Sequence, residues 1–321
     1  MNLLFLGTSS GVPTKSRNVT AIALKESMGS AWYLIDCGEG TQHQLLHTNL
    51  SMNTLRAIFI THVHGDHCYG LPGILASAGM SGRKEPVKII APEGIKHWLA
   101  STQMDTQLFL PFELEFICSE SLPLIEFRDI EVTTTKLSHR VPSYAYGFVE
   151  RAVEPGLNMQ KLEQDGIPKG PLWGKIKKGI DIEYNGKLIN SGQYLVDGHK
   201  PRKIVIAGDN DQPDLLLDAC MDADVLVHEA TYTKDVAAKV GPGVGHSYAE
   251  LVAEFAHSVN LANLVLTHFS PRYQSDPEVS PSMTDIYTEA KRVYSGRLFM
   301  ASDFARFKLD KSGDFSQLTE S

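Results

Sequence analysis

Residues 59–70 read FITHVHGDHCYG, and the six positions from His62 to His67 hold three histidines and an aspartate. Neutral imidazole and carboxylate are the ligands that borderline divalent cations prefer. Such a segment cannot close a cage alone, so it constrains the fold: distant parts of the chain must deliver more ligands to the same place. The apolar run AIFI before it reads as a strand ending into the motif. In extended backbone alternate side chains share a side, which lets His62 and His64 meet one metal. Gly65 lets the chain turn, and Asp66 and His67 then reach a second. The bland alternative is a histidine-rich polar turn.

The later ligands decide between these readings. Short apolar runs closed by glycine or polar clusters predict strands at 3–7, 32–38, 55–62, 87–92, 114–119, 130–139, 145–150, 203–209, 224–231, 263–268 and 297–303. Helical periodicity predicts helices at 41–48, 70–80, 94–102, 214–221, 247–260 and 284–294. Ser247, with Glu250 three residues on, reads as a capping box for the fifth of these. Strands followed by helices predict an α/β layered architecture, its sheets covered on their outer faces. His139, Asp209 and His268 each close a predicted strand, where loops gather in α/β proteins. Seven candidate ligands suit two metals: His62, His64 and His139 on one, Asp66, His67 and His268 on the other, with Asp209 between them.

Composition sets the surroundings. Over 321 residues, a hydrophobic share of 42% and a charged share of 21% are those of an ordinary globular protein with room for a sizeable core. MNLLFLGTSSG has no basic lead and too short an apolar run for a signal peptide. No stretch approaches the roughly 18–20 apolar residues that span a bilayer, so a cytoplasmic protein without membrane contact is expected. Cys37, Cys68, Cys118 and Cys220 lie far apart and are expected as buried free thiols, Cys68 as packing. A formal charge of −8 opposes general nucleic-acid affinity but leaves room for a local basic patch.

With these ligands in place, the sequence resembles the metallo-β-lactamase superfamily, and within it the ribonuclease Z family. The resemblance runs through FLGTSSGVPTKSRN at 5–18, DCGEGTQHQLL at 36–46, the HxHxDH cluster, HEAT at His228–Thr231, GHS at 245–247 and THFSPRY at 267–273. It implies the metallo-β-lactamase fold, an αββα sandwich of two mixed sheets with outer helices, as a single domain over 1–321. It also implies two Zn2+ ions per subunit, a homodimer, and an endoribonuclease that removes the 3′ trailer from precursor tRNA. The products would be a 3′-hydroxyl on the tRNA and a 5′-phosphate on the trailer. A dinuclear phosphodiesterase or arylsulfatase of small esters would share the site, and a non-catalytic RNA- or metal-binding scaffold is the third reading.

Roles follow from the chemistry. Asp66 orients or deprotonates the attacking water, the role the family gives it. The leaving alkoxide needs a proton, which His246 would donate while Glu229 fixes its ring. His228 alternates to the other face of its strand and reads as structural; His43, His47, His97, His199 and His257 match no ligand role. Asn210 stands after Asp209 where close relatives often carry threonine.

Residues 151–201 are polar, dotted with Gly and Pro, and poor in core-like runs. Within them KGPLWGKIKKG carries Lys169, Lys175, Lys177 and Lys178 with no acid among them, suited to sequence-independent phosphate contacts, and Trp173 adds a stacking or packing surface. The stretch resembles the flexible arm of the family, here 151–200, whose Gly-Pro segment grips the tRNA elbow; Gly170 and Pro171 match. PTKSRN resembles the loop near the tRNA 3′ end, with Lys15, Arg17 and Asn18 meeting phosphates or terminal bases.

Overall fold

The computed structural model describes residues 1–27, 29–121, 124–151 and 153–319. Ala152 of the expected arm and the last two residues lie outside that set.

Runs such as VKIIA, KIVIA, VLVHE and NLVLT are almost continuously buried, as strands must be when both faces of a sheet are covered. They form the middle of two mixed sheets. In the eight-stranded sheet, Trp32–Ile35, Leu55–Phe59, Val87–Ala91 and Leu114–Cys118 run parallel. In the seven-stranded sheet, Lys203–Ala207, Val225–Glu229, Asn263–Thr267 and Arg297–Met300 run parallel; Ser143–Glu150 pairs antiparallel with Lys203–Ala207, and Ile130–Leu137, antiparallel to Ser143–Glu150, again runs in the sense of the parallel set. The inner faces meet in one core, where Phe59 packs edge-on against Tyr146 and Phe148 with centroids 5.0 and 5.1 Å away.

Each outer face is closed by helices. Leu71–Met80 and Glu93–Thr106 cover the first sheet through Leu71, Ile74, Leu75, Ile95 and Leu99. Ala249–Ser258 and Met283–Val293 cover the second through Val252, Phe255, Ile286 and Ala290. This is the αββα sandwich the sequence predicts. Parallel strands bring their C-terminal ends to one edge, and that edge carries every candidate ligand.

Several local expectations change. Ala21–Lys25, Arg306–Leu309 and Phe315–Leu318 are additional strands of the first sheet. Residues 214–221 open as a 3-10 turn, Pro213–Leu216, before the helical turn Leu217–Cys220. Ser247 does not cap: the helix begins at Ala249, the Ser247 hydroxyl donates to the Asn210 carbonyl at 2.6 Å, and Glu250 pairs with Lys234 and Arg292. The capping box belongs to the next helix, where the Ser282 amide donates to Asp285 Oδ2 at 2.8 Å. Cys37, Cys68 and Cys220 are buried free thiols, whereas Cys118 is half-buried. Among the described residues no helix is long and apolar enough to cross a membrane.

The stretch expected to lack core-like runs is folded. Helices Met159–Gln164 and Pro171–Lys177, the hairpin Ile182–Tyr184/Lys187–Ile189 and the pair Gly156–Leu157/Leu195–Val196 enclose a core of their own. That core is Leu162, Ile167, Trp173, Ile176, Ile182 and Tyr194. Trp173 therefore packs, its indole N–H donating to the Ile167 carbonyl at 2.9 Å.

Candidate metal centre

Both sheets deliver ligands to the shared edge. His62 follows Leu55–Phe59, His139 follows Ile130–Leu137, Asp209 follows Lys203–Ala207 and His268 follows Asn263–Thr267. The loops come close enough that a Cβ on Gly208 would stand 2.5 Å from the Thr61 Cβ, so only glycine fits before Asp209. His64 and Asp66 flank Gly65, and Asp66 and His67 occupy the short helix Gly65–Cys68.

Two nests result. One ligand atom from each of His62, His64, His139 and Asp209 falls within 4.8 Å of the others, and the same holds for Asp66, His67 and His268. Asp209 faces both. Its Oδ2 lies 3.5 Å from His62 Nε2 and 3.8 Å from His139 Nε2; its Oδ1 lies 3.5 Å from His67 Nε2 and 3.4 Å from His268 Nε2.

The donor set fits cations. Nδ1 of His67 is bound by Asp36 Oδ2 at 2.7 Å, that of His139 donates to the Gly245 carbonyl at 2.7 Å, and those of His62 and His268 meet the Thr61 and Thr231 hydroxyls at 3.0 Å. Holding Nδ1 this way turns each Nε2 into the cage, the arrangement metal-ligating histidines use. His62 Nε2 is buried without a hydrogen-bond partner. His67 Nε2 and His268 Nε2 stand 3.2 Å apart, and His139 Nε2 and His64 Nδ1 3.1 Å apart. Burial, and then neighbouring His67, drive the pKa of His62 well down and keep it a neutral donor. An unpartnered buried nitrogen among facing ring nitrogens and a carboxylate is a site for divalent metal.

His246 stands beside the nests. Its Nδ1 lies 3.1 Å from both Glu229 oxygens and 3.6 Å from Asp209 Oδ2. It also lies close to Asp209 and His268 as a third grouping, but Nδ1, the nitrogen near Asp209, is already engaged by Glu229. Burial alone would lower its pKa; the carboxylates of Glu229 and Asp209 outweigh that and raise it to about 9. Burial would raise the pKa of Glu229, and the His246 charge beside it turns the shift downward.

Asp36, Thr61, Thr231 and Asp303 carry no role in the sequence-based expectations, yet they hold the site. Asp36, in the left-handed region at φ 58°, accepts from His67, from the Thr61 amide at 2.8 Å and from the Thr61 hydroxyl at 2.9 Å. Thr231 links Glu229 to His268. The signal was present: Asp36 opens DCGEGTQ and Thr231 closes HEAT. Asp303 accepts from the Thr8 hydroxyl at 2.8 Å and the Asn18 amide at 2.6 Å, pinning the loop whose Gly11 amide donates to Asp66 Oδ2 at 2.7 Å.

The other expected residues are distributed as follows. His228 is fully buried, with Nδ1 donating to the Glu229 carbonyl at 2.8 Å. Its Nε2 accepts from the Asn210 side-chain amide at 3.1 Å, while the Asn210 Oδ1 accepts from the Ser138 and Gln212 backbone N–H groups at 3.2 Å, so asparagine there completes its own network; the Asn210 backbone N–H donates to Glu229 at 2.9 Å. Lys15 is exposed, and Asn18 donates to the Glu39 carbonyl at 2.9 Å. Arg17, expected to face phosphates, is buried, its guanidinium donating to the Ser270 carbonyl at 3.2 Å and the Tyr273 carbonyl at 3.1 Å. Gly170 and Pro171 open an arm helix, exposed. Lys175 and Lys178 are exposed, whereas Lys169 pairs with Glu163 at 2.8 Å and Lys177 with Glu154 at 2.9 Å, acids outside the lysine segment.

Comparison with known proteins adds identity to this geometry. The family described as Anti-Pycsar protein Apyc1 matches residues 1–149. Ribonuclease Z of Pseudomonas putida (strain GB-1) is 53% identical over 313 residues, 98% of each chain. Ribonuclease Z of Marinobacter nauticus is 51% identical over 314 residues, 97% of each chain. Among solved structures, human tRNase Z, short form, superposes with a TM-score of 0.66 at 26% identity, covering 97% of this chain and 100% of that one.

Proposed function

The chain belongs to the ribonuclease Z family, and from that premise we propose how its residues divide the work of cutting precursor tRNA. The activity is that of a metal-dependent endoribonuclease that processes tRNA 3′ ends. The proposed metals are two zinc ions, one held by His62, His64 and His139, the other by Asp66, His67 and His268, with Asp209 shared. The observation carrying this reading is Asp209, whose two oxygens face the two nests while His246 stands 3.6 Å from one of them.

When bound, such ions supply positive charge to a phosphodiester and bring the pKa of a water towards neutral. Asp66, its carboxylate steadied by the Gly11 amide, orients the attacking water and takes its proton. The water oxygen bonds to phosphorus, and the bond from phosphorus to the 3′ oxygen of the tRNA breaks. His246 gives its proton to that oxygen, and Glu229 keeps the ring aimed and its charge compensated. The products are a 3′-hydroxyl on the tRNA and a 5′-phosphate on the trailer.

Residues 151–200 are the proposed arm within a single domain. Lys175 and Lys178, with Gly170 and Pro171 at the helix entry, are supported as the phosphate-facing edge by their exposure. Lys15 and Asn18 are proposed for the 3′ end, with Arg17 holding their loop in place. The proposed assembly is a homodimer in the cytoplasm, one arm serving the partner's site.

Zinc-loaded protein given a tRNA transcript with a 3′ trailer tests this when the product ends are mapped. One cut beside the acceptor stem, lost in Asp66→Ala, is expected. Turnover of bis(p-nitrophenyl) phosphate with no tRNA cut would move the substrate to small esters.

A further inference from the structure

Tyr69 ends the short helix Gly65–Cys68 and is 61% exposed. Its ring lies on the backbone of Gly65, where a Cβ would come within 2.1 Å of the ring edge. Gly65 separates His64 from Asp66, so the ring flanks the open side of the cage, where residues 63–66 are only half-buried. Half-buried Trp98, from helix Glu93–Thr106, stands beside it with ring centroids 6.1 Å apart and planes tilted by 36°. The start of that helix is seated on the ligand loop: a Cβ on Gly94 would lie 3.2 Å from the Val63 side chain.

A lone exposed apolar side chain is ordinary. Trp98 packs partly against the core beneath it, but Tyr69 belongs to no core, and the two large rings side by side, Tyr69 on the loop carrying His64 and Asp66, have no part in the chemistry above. Aromatic faces next to a phosphodiester site are how proteins hold single-stranded nucleic acid of any sequence, because every base has a π face. The endonuclease reading assigns the tRNA elbow to the arm and the mature 3′ end to the loop at 13–18. It leaves the trailer, the single strand beyond the cut, without a contact.

We propose that Tyr69 and Trp98 form a stacking platform for the first bases of the 3′ trailer, continuous with the metal centre. The proposal rests on the endonuclease reading of the site. It makes the enzyme sensitive to the presence of trailer bases and indifferent to their identity.

The test measures KM for one tRNA carrying trailers of one, three and six nucleotides, with purified, metal-loaded full-length protein. For wild type, KM should fall about tenfold for each base that stacks and then level off, in purine and pyrimidine trailers alike. In Tyr69→Ala and Trp98→Ala this length dependence should flatten, and in Tyr69→Phe and Trp98→Phe it should return. The phenylalanine variants, with metal content and circular dichroism, separate loss of the platform from misfolding. A wild-type KM independent of trailer length, or full length dependence in Tyr69→Ala, would overturn the proposal. So would sedimentation showing that Tyr69→Ala converts a dimer to monomers, which would make the pair a contact between copies. A wild type that cuts no tRNA defeats the endonuclease reading, and this one with it.

Discussion

Replacing Trp173 with alanine should unfold the arm and leave the metal centre standing. Trp173 is only 9% exposed, and its ring is the largest side chain in a core of six residues. A buried tryptophan removes about 200 Å² from water, worth about 5 kcal/mol at 25 cal/mol per Å², and truncations of this kind cost about 3–5 kcal/mol. The lost hydrogen bond to Ile167 adds about 1 kcal/mol. A folded unit of roughly fifty residues holds only a few kcal/mol in reserve. A loss of about 4 kcal/mol therefore raises the population of the opened arm roughly a thousandfold. The arm core shares no residue with the three cores of the sandwich, so the damage should stay local. Hydrogen exchange read by mass spectrometry should show protection lost across 156–196 and kept elsewhere. In the same preparation kcat/KM for precursor tRNA should fall by about tenfold or more, while bis(p-nitrophenyl) phosphate turnover holds. An opened arm with undiminished tRNA cleavage, or equal loss of both activities, would refute the reasoning.

His246→Ala should lower kcat on tRNA by about 10²–10⁴, the usual contribution of a positioned proton donor, with the metal content of the protein unchanged. Asp36→Asn, which weakens the carboxylate grip on His67, should cost about 10–100-fold in metal affinity, measured by competition with a chelator. Arg17→Ala should lower stability by about 1.5–3 kcal/mol in urea titration, because its charge-assisted bonds hold Ser270 and Tyr273. Lys15→Ala, by contrast, should leave stability within about 0.5 kcal/mol and reduce the salt dependence of tRNA binding by about one phosphate contact.

The central strands were legible because burial on both faces leaves unbroken runs such as KIVIA and NLVLT, and the ligands stood at their ends. The outermost two strands of the first sheet were not: RFKL and FSQL are short and half-exposed, and only their pairing with neighbouring strands makes them strands. The arm escaped because its core residues come singly, Leu162, Ile167 and Trp173 being separated by polar and glycine positions. Ser247 and Glu250 have the spacing of a capping box, but partners from other elements, Asn210 and the pair Lys234 and Arg292, engage their side chains. Arg17 reads as a surface cation because the carbonyls that bury it come from residues some 250 positions away. For Ser247, Glu250 and Arg17, a contact from another element decided what local pattern could not.

The most direct test of the account is a crystal of the zinc-loaded protein examined for anomalous scattering at the zinc edge. Two peaks per chain are predicted, about 3.5–4 Å apart, one among His62, His64 and His139 and one among Asp66, His67 and His268, with Asp209 touching both. A single peak, or a peak bound by His246 in place of Asp66 or His67, would contradict it.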